Sequence, residues 1–181
     1  PHLLERLLQK WSQDLILASE SGNIAQVRLL LNRGANVNAR LRCYTALVMA
    51  AMRGYADIVK LLLDAGAHVN AVREGVTALV LASVYGHAGV VGQLLGAQGI
   101  QVNAANINGS TALIAASAYG YAGVVGQLLG AQGIDVNLAN INGYTALMFA
   151  RRYNHTDIAR LLSEVGHAQL VGRLREIGAM G

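Results

Sequence analysis

The sequence lacks most of the features that would interrupt or cross-link a helical chain. Its 181 residues contain one proline, at position 1, and one cysteine, Cys43. Helices are therefore free of proline kinks. Because Cys43 cannot form an internal disulfide, we expect a reducing compartment, the cytoplasm or the nucleus, with a secreted effector as the alternative. Charged residues are 13% of the chain against 54% hydrophobic residues, which excludes intrinsic disorder.

Charge is absent from the middle of the chain. No Lys, Arg, Asp or Glu occurs in Gly75–Ile134, and a hydropathy window over Thr77–Val102 has the length of a membrane span. We reject a membrane span because glycine and asparagine interrupt the run at regular intervals, which a lipid-facing helix would not tolerate. The net charge of +4 and the presence of only two lysines, Lys10 and Lys60, also argue against nucleic-acid binding.

What the sequence does contain is an internal repeat. Ala104–Leu113 reads AANINGSTAL and returns as LANINGYTAL at Leu138–Leu147, and Gly89–Ile100 recurs letter for letter as Gly123–Ile134. A period of about 33–34 residues is typical of solenoids built from stacked supersecondary units. Such a stack offers a long surface for binding rather than an enclosed pocket for a reaction.

Four threonines set the register of the repeat, namely Thr45, Thr77, Thr111 and Thr145. Each threonine is the first residue of a four-residue motif, Thr-Ala-Leu followed by an apolar residue, and glycine or asparagine stands nine residues after each threonine. The threonine is typical of a helix N-cap, and the glycine or asparagine of a left-handed helix stop. A second apolar run with helical spacing follows, so we predict helix, tight turn, helix and extended loop in each module. Such short helices need stacking to be stable.

This pattern resembles the ankyrin repeat, whose modules read roughly D-x-x-G-x-T-P-L-H-x-A-A-x-x-G-H, then a helix with V-x-x-L-L, then G-A-x-V-N. The resemblance covers Asp14 to about His167 and includes a partial first module, SQDLILASESGNIAQVRLLLNRGANVNA. The proline and histidine of T-P-L-H are replaced in every module, so the hydrogen bonds of that histidine are lost. For His87 and His155, which stand at the Gly-His position, the resemblance implies a structural bond to loop backbone.

The resemblance implies an all-α fold, an ankyrin-repeat solenoid of about five helix–turn–helix–loop modules including a partial N-terminal cap. We place an amphipathic helix at 1–12, the repeat domain at 13–168, and a C-terminal capping helix and tail at 169–181. The expected modules are about 13–38, 39–70, 71–103, 104–137 and 138–168. The apolar stripes of the terminal helices are expected to cover the ends of the core, with docking of a partner or a second copy as the alternative.

No set of catalytic or metal-ligating residues can be assembled from the sequence. No two of the five histidines are spaced four residues apart and no cysteine cluster exists, so we expect no metal and no cofactor. Cys43 stands at a predicted turn and is interpreted as incidental. The copies of GVVGQLLGAQG follow no strand and precede no Lys-Ser/Thr, so they are not phosphate-binding loops. We predict a chain that is not an enzyme and has no small-molecule substrate.

The residues expected to bind lie, by the resemblance, in a concave groove and at the loop tips. Tyr85, Tyr119 and Tyr153 stand 34 residues apart, and stacked helices lie roughly 8–10 Å apart, so we predict a row of tyrosines along the groove. The alternative is that these rings only brace the turns. The predicted partner-binding set is Arg42, Tyr44, Met52, Arg53, Arg73, Val84, Tyr85, Ile107, Asn108, Ser110, Tyr119, Ile141, Asn142, Tyr144, Arg152 and Tyr153.

We therefore predict a non-catalytic protein–protein interaction module, a scaffold or adaptor, that binds another protein or peptide. Tyrosine and arginine are frequent at binding hot spots. Arginines gather at both ends of the groove while its middle is neutral, so we expect acidic and apolar groups in the partner. Self-association as a structural module is one alternative. The other alternative is that the chain is the targeting region of a larger enzyme or effector, since it begins with Pro1 rather than methionine.

Overall fold

The computed structural model describes residues 2–73 and 75–179, with the backbone alone at positions 73 and 179. The described residues form ten α-helices and one short antiparallel hairpin of β1 (Val72–Arg73) and β2 (Val76–Thr77). The helices are α1 (His2–Ser21), α2 (Ile24–Asn32), α3 (Ala46–Arg53), α4 (Ala56–Asp64), α5 (Ala78–Val84), α6 (Ala88–Leu95), α7 (Ala112–Tyr119), α8 (Ala122–Leu129), α9 (Ala146–Arg152) and α10 (Thr156–Ala179).

The helices stack in two rows. Consecutive helices pack in pairs, from α1 with α2 to α9 with α10, and each odd-numbered helix also packs on the next odd-numbered one. The odd-numbered helices therefore form a first row and the even-numbered helices a second row. One continuous hydrophobic core runs between the two rows from Leu15 to Leu162. This architecture confirms the predicted all-α repeat solenoid.

The predicted helix caps are confirmed in the four modules that carry the threonines. The hydroxyl of Thr45 accepts a hydrogen bond from the backbone N–H of Val48 at 3.3 Å, and the equivalent bond occurs at the other three threonines. At the far end of each first helix the chain turns through a left-handed residue, with φ +85° at Gly54 and φ +60° at Asn154. Both devices satisfy backbone groups that a short helix leaves unpaired.

A ladder of asparagines joins neighbouring modules beside the second row of helices. The Asn70 side chain donates to the Gly99 carbonyl at 2.8 Å and accepts from the Gln101 N–H at 2.9 Å. Asn38 and Asn103 make the same two bonds to their following modules. The asparagine of the Val-Asn motif therefore couples each module to the next, a role that the sequence analysis did not assign.

The two ends of the stack differ from the sequence expectation. The segments predicted as a separate helix at 1–12 and as a capping helix and tail at 169–181 belong, as far as the structure describes them, to long helices. Helix α1 continues through Ser21, and α10 runs unbroken from Thr156 to Ala179. Gly66 at the end of the second module has φ +88°, whereas the corresponding Gly166 is not in the left-handed region. The residues after Gly166 contain no proline and no Val-Asn, so nothing ends the helix there. The module boundaries themselves stay a prediction.

The extension of α10 is bound to the preceding loop. Gln169 donates to the Ile134 carbonyl at 2.8 Å and accepts from the Val136 N–H at 3.3 Å, which replaces the asparagine ladder at the last step. Arg173 pairs with Asp135 at 2.8 Å.

In the part of the chain that the structure describes, no helix combines the length and hydropathy that a membrane crossing requires.

Candidate functional site

Two open depressions lie along the first row of helices, and we name them from their position in the chain. The N-terminal cup, of about 510 Å³, lies between α1 and α3 and is closed on one side by the loop before α3. Its lining residues are Ile16, Leu17, Glu20, Leu41, Arg42, Tyr44, Met49, Met52 and Arg53.

The C-terminal cup, of about 730 Å³, is centred on α7 and reaches α5 on one side and α9 on the other. Its apolar lining is Val80, Val84, Ile114, Ala115, Ala118 and Phe149. Its polar and aromatic rim is Asn106, Ser110, Tyr119, Tyr153 and His155. Both cups therefore open on the face formed by the first-row helices and the loops that precede them.

The three predicted tyrosines lie half exposed along the first row. The exposed fractions are 52% for Tyr85, 60% for Tyr119 and 52% for Tyr153, and the last two rings line the C-terminal cup. In the described structure each ring contacts the ring two residues further along the chain, at 6.1–6.4 Å between centroids, rather than the next tyrosine of the row. The tyrosine rings therefore pack against the turns, and about half of each side chain remains exposed to solvent.

The rings that these tyrosines contact cover the left-handed glycines of the preceding modules. A Cβ on Gly54 would lie 2.6 Å from the His87 ring, and one on Gly120 would lie 2.6 Å from the His155 ring. The Nε2 atom of His87 is 3.0 Å from the Met52 carbonyl, and that of His155 is 3.2 Å from the Ala118 carbonyl. The structural role expected for both histidines is confirmed, but the carbonyls that they contact belong to the last turns of α3 and α7 rather than to loop backbone.

The side chain that organises the C-terminal cup, Phe149, was not among the predicted binding residues. Phe149 stacks nearly parallel on Tyr153, with 6.2 Å between ring centroids and 6° between planes, and lies 5.4 Å from the Tyr144 ring. A signal existed, because Phe149 stands four residues after its threonine, in the register of Met49 and Ala115, and both of those residues line a cup.

A comparison with known families agrees with this geometry. The family model described as ankyrin repeats (3 copies) matches residues 15–106 and 94–171, which together are most of the chain. The chain belongs to the ankyrin-repeat family. No curated protein matches it significantly. Ankyrin repeats are generally protein–protein interaction modules and are typically non-catalytic.

The arginines predicted at the two ends of this face of the ankyrin stack differ in their pairing. Arg53 pairs with Glu20 at 2.9 Å, so it is not a free positive charge. Arg42 is exposed at the rim of the N-terminal cup with φ +48°, and Arg152 is exposed on α9; neither has an ion pair among the described residues. The side chain of Arg73 lies outside the described part of the structure. Among the described residues that line the two cups, Glu20 is the one carboxylate.

The ankyrin loop tips add an apolar edge to the same face. Ile107 is 75% exposed and Ile141 is 69% exposed, and the Ile141 N–H donates to the Asn108 carbonyl at 3.0 Å, which joins one tip to the next. Asn142 and Tyr144 are exposed at the tip of the fifth module. Three of the predicted loop residues, Arg42, Tyr44 and Ser110, line a cup. The loop-tip residues Ile107, Asn108, Ile141, Asn142 and Tyr144 are not among the lining residues of either cup.

The second row of the ankyrin stack carries a larger but different depression. It measures about 870 Å³, lies between α4 and α6, and has a mixed lining in which polar side chains such as Asp64, His68 and Gln93 alternate with alanine, glycine and other apolar residues. Lys60 and Asp64 pair with each other there at 2.9 Å. Within residues 2–73 and 75–179, no group of three or more His, Cys, Asp or Glu side chains is arranged to hold a metal ion. We therefore take the first-row face as the candidate site.

Proposed function

We propose that this ankyrin stack binds another protein through the face that carries the N-terminal cup, the C-terminal cup and the loop tips. The observation that carries the proposal is that large apolar side chains remain uncovered along one face, from Leu17, 51% exposed, to Tyr119, 60% exposed, and Ile141, 69% exposed. Covering apolar surface stabilises a complex by roughly 25 cal/mol per Å² before the costs of association.

The chemistry of this face supports protein recognition rather than catalysis. Tyrosines and loop-tip asparagines combine apolar area with polar groups, a composition that recurs in binding surfaces. The two cups are open on the row of short helices, whose positions are held by the caps and by the contacts between modules. A rigid, preformed face of this kind lowers the entropy that binding costs.

One observation favours self-association as a second candidate function. Leu3 is 72% exposed on α1, and Leu174 and Ile177 are 68% and 69% exposed on α10. These stripes lie at the two ends of the stack, away from the cups. Self-association through them predicts a molecular mass that rises with concentration in light scattering, and a constant monomer mass would exclude it.

The test of the proposed function is affinity capture with a variant of the groove. Tyr119→Ala combined with Tyr153→Ala removes two rings that are more than half exposed, so the fold is expected to persist in circular dichroism. Partners captured by the unaltered protein should be lost from this double variant. The matched control is Leu170→Ala with Leu174→Ala, which removes exposed apolar groups from α10 and should leave capture unchanged. Equal capture by the groove variant would contradict the proposal.

A further inference from the structure

We propose that the two cups form one bipartite site for an extended acidic polypeptide segment, whose two apolar anchor residues lie six to eight positions apart and enter one cup each. The inference rests on the proposed function and names the chemistry of its partner. The observations that carry it are the position of the cups in the stack, their different linings and the charges around them.

The spacing of the anchors follows from the stack. The N-terminal cup lies between the helices of the first two modules, α1 and α3, and the C-terminal cup is centred on α7 of the fourth module. Two and a half helix spacings of roughly 8–10 Å separate them, about 20–25 Å in all. An extended chain advances about 3.3 Å per residue. One extended segment therefore reaches both cups with anchors about six to eight residues apart.

An extended rather than helical segment suits the polar groups beside the cups. The side-chain amides of Asn108 and Asn142 are exposed at the loop tips and make no hydrogen bond among the described residues. Asn106 and Ser110 lie at the rim of the C-terminal cup. An extended backbone leaves its own N–H and C=O groups in need of partners, whereas a helix satisfies its own. The free amides can therefore pair with an extended backbone.

The two cups differ in the anchor that each accepts. Met49 and Met52 line the N-terminal cup, and flexible thioether side chains adapt to an irregular aliphatic group. In the C-terminal cup the rings of Phe149 and Tyr153 are stacked nearly parallel, and the small side chains of Ala115 and Ala118 line the same cup. Aromatic side chains favour an aromatic anchor that stacks at an offset or meets them edge to face. We therefore assign an aliphatic anchor to the first cup and an aromatic anchor to the second.

The charges around the cups select an acidic segment. Arg42 at the first cup and Arg152 beyond the second are exposed and have no ion pair among the described residues. Glu20 is already paired with Arg53 at 2.9 Å, and no carboxylate of a described residue lines the C-terminal cup. Acidic residues outside the two anchors would lie near the arginines, and this complementarity sets the direction of binding and speeds association.

The experiment is a selection from a displayed library of random 16-residue peptides on the 181-residue chain, followed by affinity measurement of the enriched peptides by fluorescence polarisation. Acidic peptides with an aliphatic and an aromatic residue six to eight positions apart are expected. Met52→Glu and Ala118→Glu place a carboxylate in the N-terminal and C-terminal cup, and each should weaken such a peptide by about tenfold or more. A peptide that lacks its aliphatic anchor should no longer respond to Met52→Glu.

Variants on exposed positions keep the test valid if a cup variant fails to fold. Arg42→Glu and Arg152→Glu should weaken the enriched peptides several-fold at low salt, whereas Lys60→Glu, the same charge change on the second row of helices, should leave their affinity unchanged. The Arg42→Glu and Arg152→Glu variants are expected to have the same thermal unfolding temperature as the unaltered protein.

The outcomes separate this inference from the proposed function. Enriched peptides with one anchor and a response to one cup alone would overturn the bipartite site and leave the groove as a binding face. Failure to enrich any peptide would overturn an extended segment as the occupant but not recognition of a folded protein. Enriched peptides that respond to neither cup would overturn both the inference and the proposed binding face.

Discussion

Residues 89–100 and 123–134 have the same sequence and stand in neighbouring modules, so the protein contains its own internal comparison. Helices α6 and α8 bury the same three positions, which are Val90, Val91 and Leu94 in one copy and Val124, Val125 and Leu128 in the other. The residues that cap them, Gly96 and Gly130, have φ and ψ of −76° and −10°, and of −80° and −8°. Identical local sequence has produced the same local structure.

The two copies differ where they meet their neighbours. Ile134 is 9% exposed and its carbonyl accepts a hydrogen bond from Gln169 of α10, whereas the equivalent Ile100 is only half-buried. A Cβ on Gly92 would lie 3.4 Å from the Gln127 amide oxygen, and one on the equivalent Gly126 would meet no atom within 4 Å. Position in the stack, not local sequence, sets these environments.

The largest expected effect comes from shortening one buried leucine in the core of each copy. Leu94 and Leu128 are both fully buried, so Leu94→Ala and Leu128→Ala should each lower the free energy of unfolding by about 2–5 kcal/mol. Both helices have second-row neighbours on both sides, so the two losses should agree within about 1 kcal/mol. Urea unfolding followed by circular dichroism measures both. A changed slope would show that the modules unfold separately. A loss twice as large in one copy would show that the two leucines are not packed equivalently.

A smaller effect of opposite sign comes from the helix-interior glycines. Gly126→Ala should raise the free energy of unfolding by roughly 1 kcal/mol, because alanine favours the helix and its Cβ meets no neighbour. Gly92→Ala should raise the free energy of unfolding by a few tenths of a kcal/mol less, since its Cβ would lie 3.4 Å from the Gln127 amide oxygen. Thermal and urea unfolding of the two variants sharpen the comparison of the copies.

The control for these variants is a glycine that must stay glycine. Gly120 has φ +79° and lies against the His155 ring, so Gly120→Ala should lower the free energy of unfolding by about 1–3 kcal/mol. If Gly126→Ala were as destabilising as Gly120→Ala, the open space around α8 would be contradicted.

The smallest effect concerns a position where the modules differ, Gln101 in one and Asp135 in the other. The hydrogen bond from Arg173, with one from the Asn137 backbone, lowers the pKa of Asp135 against a partial opposing effect of burial. A lowered folded pKa stabilises the fold above the pKa of the unfolded carboxyl, and the stabilisation is lost as pH falls through the folded pKa. Because Arg173 is half exposed, we expect less than about 1 kcal/mol.

Arg173→Ala tests this pair through the pH dependence of unfolding. The variant should lose stability relative to the unaltered protein at pH 6 and match it at low pH, after Asp135 is protonated. Arg175→Ala removes a neighbouring exposed arginine on the same helix and serves as the control, with no expected change in the pH profile. A constant difference between Arg173→Ala and the unaltered protein at every pH would exclude the charge of Asp135 as the cause.

Much of the candidate site was predictable because it follows the register of the repeat. The half-exposed tyrosines and the exposed loop tips lie where that register places them. Phe149 was missed because its importance comes from stacking on Tyr153 and Tyr144 rather than from a motif. The Arg53–Glu20 pair was missed because the partners are 33 residues apart and meet only when α1 and α3 stack.

The sequence predicted where helices start and stop and which positions are buried. These features were predictable because a threonine cap, a left-handed glycine and an apolar stripe each depend on a few neighbouring residues. Folding into a stack decided the rest. It determined that Ile134 is buried while Ile100 is only half-buried, that Arg53 pairs with Glu20 while Arg152 has no ion pair among the described residues, and that Phe149 lines the C-terminal cup. Each of these features depends on contacts between side chains of different modules. Such contacts cannot be predicted from the local sequence, because the residues that make them are far apart in the chain.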